Sequence, residues 1–206
     1  IKNMVPFAPF DFYLKRKLYI YNMGHATCAY LGDLLGLPYI YQAIDVPQIR
    51  VIVENAMLES ALALSKKYGV ELSDIRAHIE DLLFRFTNEA LKDTCQRVGG
   101  DPTRKLSPED RLVGASRLAV QQGICPCFMA IGGGAAVYRY IKESDDATQS
   151  VERAKQVHET VSGLSAGDET AVRMLHFYEM ILNGADLSSL VREADRLKAK
   201  ARTNVI

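Results

Sequence analysis

Phe12-Tyr13-Leu14-Lys15-Arg16-Lys17-Leu18-Tyr19-Ile20-Tyr21-Asn22 is the stretch on which the fold class turns. Its aromatic and β-branched end suits a strand, and a strand here would open a sheet. The longer pattern decides the matter. Apolar residues continue through Ala29-Tyr30-Leu31 to Leu34-Leu35 at helical spacing, so the segment is expected to be helix, with Asp11 as its cap. Gly24 weakens the middle, and Gly36 and Pro38 mark the end.

Working outward, the same logic yields helix after helix. Pro47 begins one and Gly69 stops it. Ser73 is the expected cap of a second, through Ile75, Ile79, Leu82-Leu83 and Phe86. Asn88 to Val98 holds a short helix or turn, and Gly99-Gly100-Asp101-Pro102 reads as a loop. Ser107-Pro108-Glu109-Asp110 has the composition of a helix start, with a capping serine and proline at the first position. Further helices are expected from about Pro126 to Ile141, from Asp145-Asp146 to near Val161, and from Asp168 or Glu169 through Ile181, with Leu187 to Lys200 finishing the last. The expectation is an all-α, multi-helical domain of seven or eight helices over residues 1–206, without repeat or linker.

Composition narrows the function. The chain has 206 residues, 48% of them hydrophobic, which excludes a disordered chain. Lys plus Arg and Asp plus Glu both total 25. That balance gives no support for a nucleic-acid or membrane-surface partner. No stretch reaches the apolar length of a membrane span. The start, Ile1-Lys2-Asn3-Met4-Val5-Pro6, is no signal peptide, and the missing initiator methionine suggests that a segment precedes it. Cys28, Cys95, Cys125 and Cys127 are expected to be free thiols in a reducing cytoplasm. Cys125-Pro126-Cys127 lacks the partners and spacing of a zinc site, and no metal is expected.

Chemistry concentrates in Lys17, Asn22 and His25. On an ideal helix these three fan over about 140°, a face broad enough to surround a small polar ligand. Gly24 permits close approach of a ligand or of a neighbouring helix. By spacing alone, a solvated lysine and a hydrogen-bonded core histidine are the better explanation of the pattern.

A resemblance separates the two readings. Lys15-Arg16-Lys17-Leu18, Asn22, Gly24-His25-Ala26 and Ala29-Tyr30-Leu31-Gly32 resemble the polyol-specific long-chain dehydrogenases, which include mannitol dehydrogenases and uronate reductases. The likeness continues in Arg85-Phe86, Asn88 and Asp93, then Arg97-Val98-Gly99, Pro102, Arg104-Lys105-Leu106-Ser107 and Asp110-Arg111-Leu112. It covers most of residues 1 to 142, and the last third is generic helix.

The resemblance implies a helical C-terminal domain resembling that of 6-phosphogluconate dehydrogenase-like enzymes, whose partner is an N-terminal Rossmann domain absent from this chain. That domain would bind NAD. Gly132-Gly133-Gly134 does not replace its fingerprint, because no strand–turn–helix context surrounds it; close helix packing is the expected role. The implied reaction interconverts D-mannitol 1-phosphate and D-fructose 6-phosphate. Lys17 would be the acid/base, Asn22 would stabilise the developing alkoxide, and His25 would hold a substrate hydroxyl. Arg97, Lys105 and, with less support, Arg104 would line the polyol or phosphate end of the pocket. Gly100 departs from the arginine or polar residue of many relatives, which loosens the substrate assignment toward a free polyol or a hexuronate.

Arg85 and Asn88 are expected to be structural. Phe7, Phe10, Phe12, Tyr19 and Tyr21 are expected to cover the face where the Rossmann domain docks, so the isolated fragment would self-associate. A helical binding or scaffold protein without chemistry is the alternative from a different class.

Overall fold

The structure, a computed structural model, describes residues 10–203, and Phe7 of the expected docking face lies outside them. The decisive stretch is helical. Helix α1, Phe10–Arg16, runs into a π-helical segment, Lys17–Asn22, and on into α2, Met23–Leu34. Asp11 sits inside the first turn rather than capping it. Gly36 ends the run with φ of 69°, the left-handed turn its position predicted.

Proline and glycine signals fared equally well in α4, Pro47–Tyr68, which Gly69 closes at φ 65° with its N–H on the Ser65 carbonyl. Helix α3, Ile40–Asp45, precedes it and was too short to show a period. Helix α5 is Leu72–Phe86, and Ser73 lies within it, not at its cap. Then come a 3-10 turn at Glu89–Leu91 and two short helices, α6 at Cys95–Gly99 and α7 at Pro102–Lys105. The expected loop at 99–102 is therefore a junction. Asp101 takes φ 55° and its side chain accepts the Arg104 N–H, capping α7.

Ser107-Pro108 does not start a helix. Residues 107–112 form successive turns, and α8 begins at Val113, ending at Gln121. The Tyr19 hydroxyl donates to the Glu109 carbonyl at 3.1 Å, an acceptor that a helix begun at Pro108 would use internally. The remaining helices are α9 (Cys127–Lys142), α10 (Val151–Thr160), α11 (Glu169–Leu182) and α12 (Leu187–Thr203). Ser150, not the Asp145-Asp146 pair, caps α10. Among the described residues the β pairing is one isolated bridge, Tyr39 to Thr94, so the domain is all-α. No described helix is long and apolar enough to cross a membrane.

Helix α9 is the axis of the fold, buried along almost its whole length. Its three glycines are there for packing. A Cβ on Gly132 would lie 2.3 Å from Thr27 Oγ1 of α2, and one on Gly134 would lie 2.7 Å from the Tyr178 backbone nitrogen of α11. The bare backbone lets helices on either side close on α9.

The start of α9 is held by a buried acid. Glu59 on α4 is 1% exposed, and its carboxyl accepts the backbone N–H groups of Phe128, at 3.0 and 3.1 Å, and Met129, at 3.0 Å. Burial pushes this acid up to about 8, against the two N–H donors and Lys198. Glu59→Ala leaves those buried donors unpaired and should cost about 3 kcal/mol. Glu59→Gln keeps an acceptor in place and should cost much less. Denaturant titration of both variants checks this, and equal losses would contradict it.

Candidate functional site

A π turn closes on the fifth residue rather than the fourth, so it inserts one extra residue into the helix; such turns occur frequently at functional sites. Here Lys17 opens the segment and Asn22 closes it. The extra residue changes the angle between Lys17 and Asn22 from that of an ideal helix. Tyr19 and Ile20 in its middle are buried, which anchors the segment. Gly24 then lets α2 meet α4, since a Cβ there would lie 2.7 Å from Met57 Sδ. Of the two roles open to Gly24, helix approach is the one observed.

Lys17 is exposed, and Asn22 and His25 are half-buried. Lys17 lines an open hollow of about 460 Å³ with Tyr13, Arg16, Tyr21, His78 and Arg85. A second, tighter hollow holds His25, Phe86, Asn88 and Asp93. Tyr21 and Arg85 belong to both walls, so the lysine and the histidine serve adjoining spaces. Asn88 keeps the structural role expected of it, its side chain accepting the Ala90 N–H at 3.0 Å.

His25 is gripped by rings. It stacks on Phe86 at 4.9 Å and on Tyr21 at 5.5 Å. Its Nε2 lies 3.4 Å from a carboxylate oxygen of Asp93, while the other oxygen of that carboxylate is held by Arg97. Asp93 is fixed in turn through its carbonyl, which accepts the Ile40 N–H at 2.9 Å. Burial holds the His25 imidazole down to about 4 against the pull of Asp93, with Arg97, Arg111 and Lys105 reinforcing burial.

His25 is therefore a neutral ring at pH 7, able to accept and donate one hydrogen bond each. Its folded pKa is below the unfolded value of 6.5, so the unfolded chain binds more protons between those two values. The stability owed to neutral His25 is complete above pH 6.5 and is lost as pH falls to about 4. Its NMR ring resonances should stay fixed from pH 8 to about 5.5; a titration centred near 6.5 would contradict this.

The three basic candidates differ in placement. Arg97 is two-thirds exposed and joined to Asp93 beside His25. Lys105 is buried, 4% exposed, and donates to the Gly100 carbonyl. Burial, with Arg111 and Arg104, draws its ammonium down to about 8. Arg104 is exposed and faces Asp101 at 2.9 Å, on the far side of the α7 cap. Arg97 and Lys105 thus lie within electrostatic reach of His25, and Arg104 is committed to the loop.

Sequence reading missed the roles of Asp93 and Arg111. Arg111 is nearly buried, pairs with Asp110 at 2.7 Å and adds positive charge around His25. The expected aromatic docking face also needs correction. Phe12 and Tyr19 belong to this domain's own core at 3% exposure, whereas Phe10 is 68% exposed. Phe84, at 75%, and Leu14, at 55%, are exposed as well. Among the described residues no group of three or more His, Cys, Asp or Glu is placed to hold a metal ion.

Comparison with known proteins places this arrangement. The family model described as the mannitol dehydrogenase C-terminal domain matches residues 10–194. A mannitol-1-phosphate 5-dehydrogenase of Caldanaerobacter subterraneus subsp. tengcongensis is 43% identical over 144 residues, 70% of this chain and 37% of the relative. The enzyme of that name from Thermoanaerobacter pseudethanolicus is 38% identical over 161 residues, 77% of this chain and 42% of the relative. The chain thus spans less than half the length of these relatives. Pseudomonas fluorescens mannitol 2-dehydrogenase, solved as a ternary complex with NAD and D-mannitol, superposes with a TM-score of 0.70. That likeness covers 92% of this chain and 42% of the other at 18% identity, and it shows the fold.

Proposed function

Because the chain belongs to the mannitol dehydrogenase C-terminal domain family, we propose that it is the substrate-binding and catalytic half of an NAD-dependent polyol dehydrogenase. On this reading the whole enzyme interconverts D-mannitol 1-phosphate and D-fructose 6-phosphate, and its Rossmann domain lies outside this chain. The observation that carries the proposal is the π turn bounded by Lys17 and Asn22, with His25 one helical turn beyond Asn22.

The described residues do not fit a dinucleotide by themselves. They include no strand leading through a glycine-rich turn to a helix, and the glycines of α9 are filled by neighbouring helices. On this reading the Rossmann domain holds NAD, and the work of this chain is proton handling and substrate positioning.

Oxidation of a carbinol needs a base within hydrogen-bond reach of its oxygen. Lys17 as the free amine takes that proton, and as the ammonium it returns it in the reverse direction. Its exposure on this domain means that a second surface must cover it to exclude water. Asn22 donates from its side-chain amide to the same oxygen as negative charge develops. Neutral His25 holds a neighbouring hydroxyl, and its stacking on Phe86 and Tyr21 fixes the ring plane.

Arg97 and Lys105 receive the phosphate. A dianion beside Lys105 would draw its pKa back up and favour the ammonium. Lys105 is buried and already pledged to the Gly100 carbonyl, so Arg97 makes the principal contact and Lys105 backs it.

Steady-state oxidation of NADH by the full-length polypeptide tests the reading, with fructose 6-phosphate, fructose and a hexuronate supplied in parallel. The phosphorylated ketose should be preferred, and Arg97→Ala should raise its KM by about 10- to 100-fold while changing fructose little. Preference for fructose would remove the phosphate role. Turnover of the hexuronate alone would move the chain to another substrate within the family.

A further inference from the structure

Cys125 and Cys127 stand outside the Lys17–His25 face, at the entry to α9. Pro126 between them takes φ −83° and ψ 57°, and the Cys127 N–H donates to the Cys125 carbonyl at 3.0 Å. This is an inverse γ-turn, which folds residues two apart back on each other. Each thiol lies close enough to shift the proton affinity of the other. Both are free, with Cys125 half-exposed and Cys127 buried.

Cys125 also lines an open hollow of about 400 Å³ between α8, α11 and α12. The groups facing it are mostly cationic. Arg173 of α11 and Lys200 of α12 line this hollow with Cys125, and Lys198 of α12 lines the adjoining one. Two acids oppose them. Glu169 is held by Arg173, and Glu59 is committed to the backbone of α9. A reachable sulfur, a guanidinium in the same hollow and a second thiol two residues away form a recognisable redox arrangement.

We propose that Cys125 is a peroxide-reactive thiol and that Cys127 resolves it, making this pair a reversible oxidation site. In the first step the Cys125 thiolate attacks one oxygen of a hydroperoxide. The O–O bond breaks, Cys125 becomes a sulfenic acid, and the other oxygen leaves as hydroxide, or as alkoxide from an organic peroxide. In the second step the Cys127 sulfur attacks the Cys125 sulfur and its proton passes to the departing oxygen. An S–S bond forms, and the S–O bond breaks, releasing water. Sulfur is oxidised by two electrons and the peroxide is reduced by two.

The neighbouring Cys127 thiol is the largest influence holding the Cys125 thiol below its ordinary value, with Arg173 assisting against burial. Cys127 moves up correspondingly, because the pair shares one proton between two sulfurs.

Trypsin separates the evidence, since Leu118–Arg139 contains Cys125 and Cys127 but neither Cys28 nor Cys95. Full-length protein should be treated with iodoacetamide across pH 5 to 10, and separately with hydrogen peroxide, then analysed by mass spectrometry. Alkylation of Cys125 should reach half its maximum below the ordinary thiol midpoint of about 8.5. Peroxide should remove two hydrogens from that peptide, and dithiothreitol should restore them. In Cys127→Ser, dimedone should trap the sulfenic acid at Cys125. An alkylation midpoint at or above the ordinary thiol value overturns the proposal. So does oxidation of this peptide no faster than oxidation of those carrying Cys28 and Cys95.

Discussion

Lys17→Ala in the full-length polypeptide should lower kcat for fructose 6-phosphate reduction by about 10³-fold, within the range that a positioned acid or base contributes. That loss is about 4 kcal/mol of transition-state stabilisation. KM should change by less than about threefold, because a group acting mainly in the transition state adds little to ground-state binding. The fold should survive, since Lys17 is exposed and no described hydrogen bond or ion pair uses its ammonium. Added primary amines should restore part of the rate, and the restoration should follow amine basicity. A variant keeping a tenth or more of wild-type kcat would remove Lys17 from the proton-handling role. A large rise in KM at constant kcat would make it a binding residue.

Gly134→Ala should cost about 3 kcal/mol, at the upper end for overpacking a close-packed interior. Alanine gains about 1 kcal/mol over glycine in helix propensity, but the added Cβ would meet backbone on α11. It would lie 2.7 Å from the Tyr178 nitrogen and 2.9 Å from the Met174 carbonyl oxygen. Backbone cannot rotate away as a side chain can, so α9 and α11 must separate along their contact. Gly133→Ala makes a useful partner, because the three atoms nearest its Cβ would all belong to the flexible Met174 side chain, with Sδ at 2.5 Å. It should cost about half as much. Thermal unfolding should show Gly134→Ala about 6–12 °C below the parent, with Gly133→Ala between. An unchanged or raised midpoint for Gly134→Ala would contradict the packing account.

These glycines show what was legible in the sequence. A triple glycine inside an apolar run could be assigned to packing because no strand preceded it, and each of the three meets a neighbouring helix. Pro47, Gly69 and Asp168 were legible for a similar reason, since each acts on its own local backbone. Ser107-Pro108 carried the same kind of signal and failed: the chain turns through 107–112, where the Glu109 carbonyl meets Tyr19 from 90 residues away, and the helix starts at Val113. The π turn was invisible for a different reason. One extra residue in a helix leaves the apolar pattern nearly intact while changing which side chains share a side. The spacing named Lys17, Asn22 and His25 but could not show the residue inserted between the first two.

Asp93 and Arg111 mark the limit on the site itself. Both stand within motifs of the family resemblance, yet their importance is spatial. Asp93 joins Arg97 to His25, and Arg111 helps hold that imidazole neutral. Nothing local distinguishes either from a surface ion-pair residue. Phe12 and Tyr19 were misplaced for the converse reason. Density of aromatic residues does not say which way each one faces, and these two face the core.

The central claim is that this domain supplies the proton-handling residues for hydride exchange at the carbonyl carbon of a sugar phosphate. Full-length polypeptide should be incubated with fructose 6-phosphate and NADH deuterated at the transferable position. Mass spectrometry of the product should then find one deuterium on the new carbinol carbon of mannitol 1-phosphate, with almost none when Lys17→Ala replaces the parent. Deuterium appearing equally in both proteins would contradict the role of Lys17. Its absence from both, in folded protein that binds NADH, would contradict the enzyme assignment itself.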